Sequence, residues 1–576
     1  MLVCSVIGDY PLQLYGGLTA KNHKQLRPAG RINAMADRTN LSDDFLKRRS
    51  YNAVSDMIDA NVERGLGDKI AFIDPDRSLT YQDLQSRTCR FARALKALGV
   101  RSEERIILLI PDIIDFPVAF WGAIRAGIIV VPVNPLLTPE QHAYVISDSR
   151  ASVLVAAAPL AKAIIPVLDQ LHSLRTIVLI GAEAGDAALF GDRTVHHFED
   201  VLKRQSADLF AAPTISDEVA FWLYTSGSTG DPKAVKHVHT SPMVTAKLMG
   251  QGVIGIREDD VVFSAAKLFF AYGLGNAMSF PLSVGATATL WPHRPTPQAI
   301  FDIMRRHRPT IFYGVPSLYS VLLAQKDIGY GAGSDRLRLC ISAGEALPCH
   351  IGERWRAIVG VDVLDGIGST EMLQTFISNR PEDVCYGTSG KPVSGYDAKI
   401  VDEMGRERET GSIGELVVRG PSSGDGYWNQ RTKSRQTFVG EWTYTGDKFL
   451  RDENGYFHYC GRTDDMFKVN GMWVSPFDVE AALVTHEAVI EAAVIGKPDA
   501  DGLMRPKAFI VLKAGYSADE QLLEKLKLHV KERAGLWKYP RWIDVRTDLP
   551  KTATGKIQRF KLRAEECDGL VANAHK

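Results

Sequence analysis

The sequence predicts an α/β fold in two parts. A large amino-terminal domain with mainly parallel β-sheets flanked by helices precedes a small, mobile α+β carboxy-terminal domain. The first supporting observation is that short apolar runs, typical of buried strands, alternate with longer stretches of helical periodicity. The clearest such runs are at 105–110, 151–157 and 176–180. The second is a short helix–strand–helix series late in the chain, at 476–484, 507–512 and 518–534.

The chain length also indicates more than one domain. A chain of 576 residues exceeds the roughly 250–300 residues at which a single core stops growing. In chain order we expect an extension at 1–44, a large domain at 45–460, a hinge at 461–465, a small domain at 466–563 and a tail at 564–576. The sequence leaves open whether 1–44 is a flexible extension or an over-long start assignment.

Local signals place individual elements within this outline. A helix is expected to begin after Thr80, a good N-cap residue, and to stop at Gly99. The apolar stretch 118–133 contains Arg125 and Pro132. Its first half therefore predicts a helix and its second half a buried strand, rather than a transmembrane span.

Composition and charge exclude several classes of partner. The formal net charge is zero, so no overall field attracts nucleic acid or an anionic membrane. The seven cysteines form no Cys-x-x-Cys pair, which supports neither a zinc site nor a disulfide framework. His237 and His239 lie two apart, and such a pair is more often structural than metal-binding. We therefore expect a cytoplasmic protein with no nucleic-acid or membrane partner, and leave open whether it is a homodimer.

The run Tyr224–Lys233 is the most informative motif. It contains four serine or threonine residues, two glycines and a lysine, and apolar residues precede and follow it. This pattern predicts a strand, a glycine-rich loop, and then a second strand or a helix start. Glycines let backbone N–H groups converge on an anion, so the loop suits a polyphosphate better than a surface linker. It is not a Walker A loop, because Lys233 follows Gly230 by three residues.

Five motifs together resemble the acyl-adenylate-forming superfamily of acyl-CoA synthetases, luciferases and peptide-synthetase adenylation domains. In chain order they are Tyr224–Lys233, Gly366–Glu371, Tyr444–Asp447, Gly461–Asp465 and Pro550–Lys556. The resemblance covers roughly residues 45 to 563. Three further segments resemble the benzoate–CoA ligases and their relatives for substituted benzoates. These segments are Ser264–Asn276, Phe312–Pro316 and Asp365–Met372.

The resemblance implies a nucleotide site for ATP. Lys556 would act between the carboxylate and the α-phosphate, while Lys233 would hold the outer phosphates. Glu371 would bind Mg²⁺ with Thr229 nearby, although Glu371 could instead cap a following helix. Asp447 would accept the ribose hydroxyls. The remaining ATP- or AMP-binding residues implied by the resemblance are Thr225, Ser226, Gly227, Ser228, Gly230, Ala343, Gly344, Glu345, Asp365, Gly366, Ile367, Thr370 and Arg462.

The resemblance also implies sites for the acid and for CoA. We expect Gly366 and Gly368 to leave room for a flat ring. Gln374 stands where relatives commonly carry histidine, which would favour a polar ring substituent or only change the pocket shape. Ala234 replaces a usual glycine, with a small expected effect. The acyl pocket would comprise Phe270, Ala271, Tyr272, Gly273, Gly368 and Gln374. Asp464 would be the hinge, and Lys468, Gly471 and Trp473 would line the CoA tunnel.

The expected activity is an ATP-dependent, AMP-forming acid–thiol ligase. It would convert an aromatic carboxylic acid to its CoA thioester through an acyl-adenylate, with ATP, Mg²⁺ and CoA required. One alternative is a stand-alone enzyme that loads an aryl group onto a carrier protein in trans. Others are a CoA ligase for an alicyclic or other small acid, and a nonenzymatic nucleotide sensor, against which the intact motif residues argue.

Overall fold

The structure is a computed structural model that describes residues 50–227, 230–469, 472–499, 502–551 and 557–574. For residues 226, 227, 230, 231, 472, 473 and 567–574 it describes the backbone alone. Residues 1–49, which include the predicted extension, lie outside it.

The strands follow the predicted alternation in the first half of the chain. In order they are β1 (Ile70–Ile73), β2 (Ser78–Thr80), β3 (Arg105–Leu109), β4 (Ile129–Pro132), β5 (Val153–Ala157), β6 (Thr176–Ile180), β7 (Thr194–His197), β8 (Val219–Gly227), β9 (Gly230–Val238), β10 (Val261–Ser264), β11 (Thr287–Thr289), β12 (Ile311–Gly314), β13 (Leu339–Ser342), β14 (Val363–Gly368), β15 (Thr375–Ser378) and β16 (Lys391–Pro392). The later strands are β17 (Asp397–Val401), β18 (Gly414–Arg419), β19 (Phe438–Val439), β20 (Trp442–Arg451), β21 (Phe457–Arg462), β22 (Phe467–Val469), β23 (Met472–Val474), β24 (Val489–Pro498), β25 (Met504–Leu512) and β26 (Trp542–Arg546).

The α-helices lie between these strands. They are α1 (Tyr81–Ala97), α2 (Asp115–Arg125), α3 (Pro139–Ser149), α4 (Ala158–Ala161), α5 (Phe198–Lys203), α6 (Ser241–Thr245), α7 (Ala271–Leu274), α8 (Phe280–Val284), α9 (Pro297–His307), α10 (Pro316–Leu323), α11 (Cys349–Val359), α12 (Arg431–Thr437), α13 (Pro476–Val484), α14 (Glu520–Ala534) and α15 (Arg559–Ala574). Short π-helical segments span Ser55–Asp59, Val62–Leu66, Ala246–Gln251 and Gly275–Ser279, and 3₁₀ segments span Lys162–Gln170, Asp186–Phe190 and Tyr330–Gly333.

Two large sheets and one smaller sheet make up the first part of the described chain. A seven-stranded sheet has the order β7-β6-β5-β3-β4-β8-β9 and is parallel except for the β8–β9 hairpin. A nine-stranded sheet has the order β16-β15-β14-β13-β12-β10-β11-β1-β2, with a parallel centre and antiparallel ends. Strands β17 to β21 form an antiparallel sheet. The prediction of mainly parallel sheets flanked by helices is confirmed.

The later part of the chain forms its own α+β unit. Strands β24, β25 and β26 form a mixed sheet, and β22 and β23 a two-stranded ribbon. This unit has an apolar cluster of its own, in which α13 and α14 pack on the sheet. The small carboxy-terminal domain of the predicted fold class is therefore present.

Local predictions of single elements also agree with the structure. Thr80 caps α1 through a reciprocal pair of hydrogen bonds with Asp83. The stretch 118–133 divides into α2 and β4, as its two halves predict. Within the described residues, none of the helices combines the length and apolar character needed to cross a bilayer.

A buried ion pair fixes the packing of α2. Arg125 is fully buried and donates from both terminal nitrogens to the carboxylate of Asp59, at 2.7 and 3.1 Å. It also donates to the carbonyl of Phe210. These bonds satisfy a charge inside the apolar stretch 118–133, which explains why an arginine is compatible with a buried helix.

Candidate active site

The β8–β9 hairpin presents the predicted phosphate loop at the edge of the seven-stranded sheet. Thr225 on β8 faces Lys233 on β9 in the hairpin register. Of the two options left open after the loop, the second strand is confirmed: it is β9. Ala234 lies in β9 and is fully buried. Of the other loop residues, Ser226, Gly227 and Gly230 contribute described backbone to the strands, whereas Ser228 and Thr229 lie outside the described residues.

Lys233 and Glu371 contact the same tyrosine, Lys233 at the face of its ring and Glu371 at its hydroxyl. The Lys233 ammonium lies over the ring of Tyr427, 4.5 Å from its centroid, and the hydroxyl of Tyr427 donates to Glu371 Oε1 at 2.7 Å. Burial lowers the pKa of Lys233, and the negative charge of Glu371 opposes that shift. Tyr427 therefore positions both groups, and nothing in the loop motif identified it.

Backbone pairing brings Tyr427 to this place. Residues 424–428 run beside β9, where the amide of Trp428 donates to Ala234 and the amide of Lys236 to Gly426. The amide of Gly424 donates to the carbonyl of Glu371 at 2.7 Å. One irregular segment thus joins the phosphate hairpin to the segment that follows β14.

A buried histidine supports the residue before Glu371. His237 Nε2 lies 2.9 Å from the carbonyl oxygen of Thr370. A carbonyl can only accept, so Nε2 carries the hydrogen. Burial lowers the pKa of His237 to about 4, which keeps the ring neutral at pH 7. The structural interpretation of His237 fits this contact, and the described residues hold no metal-binding group of three or more suitable side chains.

The alternative role of Glu371 as a helix-capping residue is wrong. A turn follows Thr370 and leads into β15, so no helix begins at this point of the described chain. The hydroxyl of Ser369 accepts instead from the amide of Met372 within the turn, at 3.2 Å. Glu371 is thus held by a turn and by Tyr427.

The predicted ribose segment lies on the β20–β21 hairpin. Asp447 and Arg462 face each other across these strands, and Arg462 Nη1 donates to Asp447 Oδ1 at 2.9 Å. Asp447 is nearly buried, whereas the Arg462 side chain is 45% exposed. The hydroxyl of Thr445 accepts from the amide of Asp447 and fixes the turn. Asp447, which the resemblance implies for the ribose, and Arg462, which it implies for the nucleotide, are thus direct partners.

Six of the residues predicted to bind ATP or AMP lie towards the carboxyl ends of β13 and β14. Ala343, Gly344 and Glu345 follow β13, and Asp365, Gly366 and Ile367 lie in β14. Asp365 is buried; its Oδ2 accepts from the amide of Leu347 at 3.3 Å, while Oδ1 has no partner among the described residues. Burial raises the pKa of Asp365 to about 8. Asp365 is therefore largely protonated at pH 7, a property that depends on burial and that its motif does not reveal.

Replacing Asp365 by asparagine is expected to change how stability depends on pH. Between about pH 4 and pH 8 the unfolded chain has lost this proton while the folded chain keeps it, so the free energy of unfolding falls as pH rises through that window. Asp365→Asn removes this contribution, so the free energy of unfolding of the variant should rise relative to that of the wild type as pH increases. Urea unfolding at pH 5, 6.5 and 8 measures it, with the exposed Asp192→Asn as a control. If the free energy of unfolding changes with pH in the same way in Asp365→Asn and in the wild type, Asp365 is not a buried neutral carboxyl.

The predicted acyl residues surround the short helix α7. The hydroxyl of Tyr272 lies 3.2 Å from the carbonyls of Gly314 and Ile341, so its ring is anchored to the ends of β12 and β13. Phe269 is buried in the core, and Phe270 is partly exposed, with 4.5 Å between the two ring centroids. The segment 270–273 is therefore a rigid wall beside β12 to β14.

Gln374 supports this wall through its amide. Its Nε2 donates to the carbonyl of Tyr272 at 3.3 Å and to Asn276 Oδ1 at 3.4 Å. Its Oε1 accepts from the amide and hydroxyl of Thr375 at 2.9 and 3.1 Å. Because protein groups engage both ends of the amide, the structure favours the pocket-shape explanation over direct recognition of a substituent.

The reason given for two glycines is wrong. A Cβ atom on Gly366 would lie 2.8 Å from the carbonyl oxygen of Ile377, and one on Gly368 would lie 2.7 Å from that of Gln374. The space beside both glycines is filled by the segment that pairs with β14, rather than left open for a ring. A Cβ on Gly273 would likewise lie 2.1 Å from the carbonyl of Lys267. These glycines permit close backbone packing.

Substitution of Gln374 by alanine tests its positioning role. Loss of the anchor on Tyr272 should raise KM for the acid by about 10-fold, the scale of one buried hydrogen bond, and leave KM for ATP unchanged. The ratio of kcat/KM for 4-hydroxybenzoate and benzoate should change less than about 3-fold, because the amide faces protein. Steady-state kinetics measures both, with the partly exposed Gln325→Ala, far from these contacts in the chain, as control. A selective loss of one acid would instead make Gln374 a direct contact.

The predicted hinge lies between two anchored residues. Gly461 and Arg462 still belong to β21, which extends farther than the sequence suggested. Asp465 is held from the other side: its carboxylate accepts from Arg563 at 2.8 Å and from Arg559 at 3.4 Å, both on α15. The amide of Thr463 also donates to the carbonyl of Gly446 in β20, at 2.9 Å, so Asp464 lies between a residue bonded to β20 and one bonded to the last helix.

The remaining predicted residues are only partly covered. Lys468 lies exposed on β22, and Trp473 contributes described backbone to β23. Gly471 and Lys556 lie outside the described residues.

Comparisons with known proteins agree on one family. The profile of the AMP-binding enzyme family matches residues 58–428, and that of the AMP-binding enzyme C-terminal domain matches residues 478–556. The chain is 50% identical over 525 residues to 4-hydroxybenzoate–CoA/benzoate–CoA ligase of Rhodopseudomonas palustris, covering 91% of this chain and 96% of the relative. It is 50% identical over 533 residues to benzoate–CoA ligase of Thauera aromatica, covering 92% and 99%.

A solved structure shows the same fold. The anthranilate CoA ligase AuaEII, in complex with anthranoyl-AMP, superposes with a TM-score of 0.85 at 41% identity. The match covers 91% of this chain and 98% of that one.

Proposed function

This chain belongs to the AMP-binding enzyme family, and from that premise we propose that it is an ATP-dependent, AMP-forming CoA ligase for benzoate or a substituted benzoate. Two relatives with 50% identity over more than nine tenths of the chain are ligases of benzoate, one of them also of 4-hydroxybenzoate. The structural observation that carries the proposal is the meeting of Lys233, Tyr427 and Glu371, with Gln374, three residues after Glu371, bonded to the wall at Tyr272.

The first half-reaction joins the acid to AMP. A carboxylate oxygen attacks the α-phosphorus of ATP, the bond to the bridging oxygen breaks, and pyrophosphate leaves with that electron pair. Lys556 would stabilise the charge that grows at the α-phosphate, and Lys233 would hold the departing pyrophosphate. Asp447 would orient the ribose. Its carboxylate also accepts a hydrogen bond from Arg462 and so holds that side chain in place.

The residues present fit a magnesium ion. Mg²⁺ usually takes one or two carboxylate oxygens together with water and phosphate oxygens. Glu371 offers a carboxylate that Tyr427 orients beside Lys233, and Thr229 is the second proposed ligand. Bound there, Mg²⁺ would neutralise charge on the pyrophosphate.

The second half-reaction transfers the acyl group to CoA. The sulfur of CoA attacks the acyl carbon, the bond to the phosphate oxygen breaks, AMP leaves, and the thiol proton is released to solvent. We propose that the small domain turns at Asp464 between the two steps. Lys468, Gly471 and Trp473 would then line the approach of the pantetheine arm. Arg462 is bonded to Asp447 on β20, and Asp465 is bonded to Arg563 on the last helix. These two bonds support a pivot confined to the residues between them.

A panel of acids tests the proposed function. CoA-dependent AMP release should be fastest with benzoate, hydroxybenzoates or aminobenzoates, and at least about 100-fold slower in kcat/KM with short fatty acids, which offer no ring to pack against the wall at Phe270 and Tyr272. Heteroaryl acids and cyclohexane carboxylate complete the panel. Activity confined to fatty acids would overturn the proposal. Pyrophosphate release without thioester formation would instead support loading of a carrier protein.

Location and assembly complete the proposal. We place the enzyme in the cytoplasm, where its cysteines would remain reduced; those described, such as the exposed Cys349, are free. Sedimentation of the purified chain tests whether it is a homodimer.

A further inference from the structure

A polar cavity lies at the amino ends of three strands of the seven-stranded sheet. It has a volume of about 310 Å³, at the lower end of the range for small-molecule sites. Arg105 begins β3, while Ser152 and Arg175 immediately precede β5 and β6. The phosphate hairpin projects from the carboxyl end of β8, which runs parallel to these strands, so the cavity lies at the opposite edge of the sheet. Its lining residues are Glu104, Arg105, Arg150, Ser152, His172, Ser173 and Arg175.

The cavity is strongly basic. Three arginines and a histidine line it, against the single carboxylate of Glu104, which accepts from the amide of Arg101 at 3.0 Å. Within the described part of the chain, Arg150 and Arg175 take part in no ion pair. Burial first, and then the positive charge of Arg150, lower the pKa of Arg105. Like charges gathered without enough counter-charge favour an anion between them.

Two of the arginines are held in place before any ligand arrives. Arg105 donates from Nε to the carbonyl of Ser149 at 2.8 Å, and its guanidinium lies 5.5 Å from the ring centroid of Trp428. Arg150 lies over the same ring at 5.8 Å. Such anchoring reduces the conformational entropy lost on binding.

A hydroxyl in the cavity adds independent support. Ser173 Oγ is buried and has no hydrogen-bond partner among the described residues. A buried hydroxyl without a partner is costly and uncommon, and a phosphate oxygen would accept its hydrogen. None of the residues proposed to bind ATP, the acid or CoA lines this cavity.

We propose that this basic cavity binds a phosphate group, either free or as the terminal group of a small ester, at a site separate from the ATP site. Arginine forks give phosphate two parallel hydrogen bonds each, which makes them its preferred partners. Arg150 and Arg175 would supply these forks, with Ser173 as a neutral donor. The ligand would be compact and doubly charged.

Trp428 provides the reporter, because its ring lies against Arg105 and Arg150. Inorganic phosphate and glycerol 3-phosphate are titrated separately at constant ionic strength while tryptophan fluorescence is followed. A saturable change is expected with at least one of them. Tighter binding of glycerol 3-phosphate would indicate a phosphate ester as ligand, tighter binding of inorganic phosphate would indicate the free ion, and no saturable change with either would overturn the proposal.

Variants locate the binding. Arg175→Gln should weaken binding by about 10-fold, and adding Arg150→Gln should weaken it further by a similar factor. The exposed Arg204→Gln is the matched control and should bind as wild type does. Binding should also survive in Lys233→Ala, which weakens the ATP site. The proposal is overturned if Arg175→Gln, an exposed position that cannot disturb the core, leaves the affinity unchanged, or if Lys233→Ala abolishes binding.

Discussion

Replacing Lys556 by alanine is expected to slow formation of the acyl-adenylate by about 10²–10³, the scale for losing one preorganised electrostatic partner of a transition state. Two anions, the carboxylate and the triphosphate, must approach each other, and negative charge grows at the α-phosphate as they react. An ammonium group placed between them lowers the barrier more than it strengthens ground-state binding. Rapid-quench measurement of pyrophosphate release in the absence of CoA reports this step.

Lys551 offers a matched control for Lys556. It belongs to the same carboxy-terminal motif, but its ammonium pairs with Glu491 at 2.6 Å. Partly exposed ion pairs contribute about 0–1 kcal/mol, so Lys551→Ala should change the rate less than about 3-fold. Lys556→Ala supplied with preformed acyl-adenylate should still form the thioester at nearly the wild-type rate. Loss of only the thioester step would contradict the assignment of Lys556 to adenylation.

Replacing Asp447 by alanine is expected to lower kcat/KM for ATP by about 100-fold. A carboxylate that accepts hydrogen bonds from ribose hydroxyls contributes about 1.5–3 kcal/mol for each such bond. The loss should appear mainly as a higher KM for ATP, because the ribose does not change charge during the reaction. Initial-rate kinetics with ATP varied at saturating benzoate and CoA measures it.

Protein stability separates this effect from simple unfolding. Asp447→Ala also removes the partner of Arg462, but that side chain is 45% exposed and can be hydrated. The free energy of unfolding should therefore change by less than about 1 kcal/mol. Asp425→Ala, which removes an exposed partner of Lys236, is the control and should leave KM for ATP unchanged. An unchanged KM in Asp447→Ala would exclude the ribose contact.

Elements with strong local signals could be predicted from the sequence. The cap at Thr80 and the break between α2 and β4 depend on residues close together in the chain. After the phosphate loop, the local pattern left a second strand or a helix start open, and pairing with β8 decides for the strand. Local propensity and apolar period decide such elements before tertiary contacts form.

Contacts between distant segments could not be predicted in the same way. Tyr427 orients both Lys233 and Glu371, yet it lies on an irregular segment with no motif of its own. The protonated state of Asp365 depends on burial by several strands. The reason predicted for Gly366, room for a flat ring, was wrong because the segment that fills the adjacent space is visible only in the paired strands.

The fate of the acid's oxygen atoms tests the central claim most directly. Benzoate labelled with ¹⁸O at both carboxylate oxygens is incubated with the enzyme, ATP, Mg²⁺ and CoA. Mass spectrometry then measures the ¹⁸O content of AMP and of benzoyl-CoA. Attack of the carboxylate on the α-phosphorus predicts one ¹⁸O in AMP and one in benzoyl-CoA. Unlabelled AMP, or label in released phosphate, would contradict activation through an acyl-adenylate.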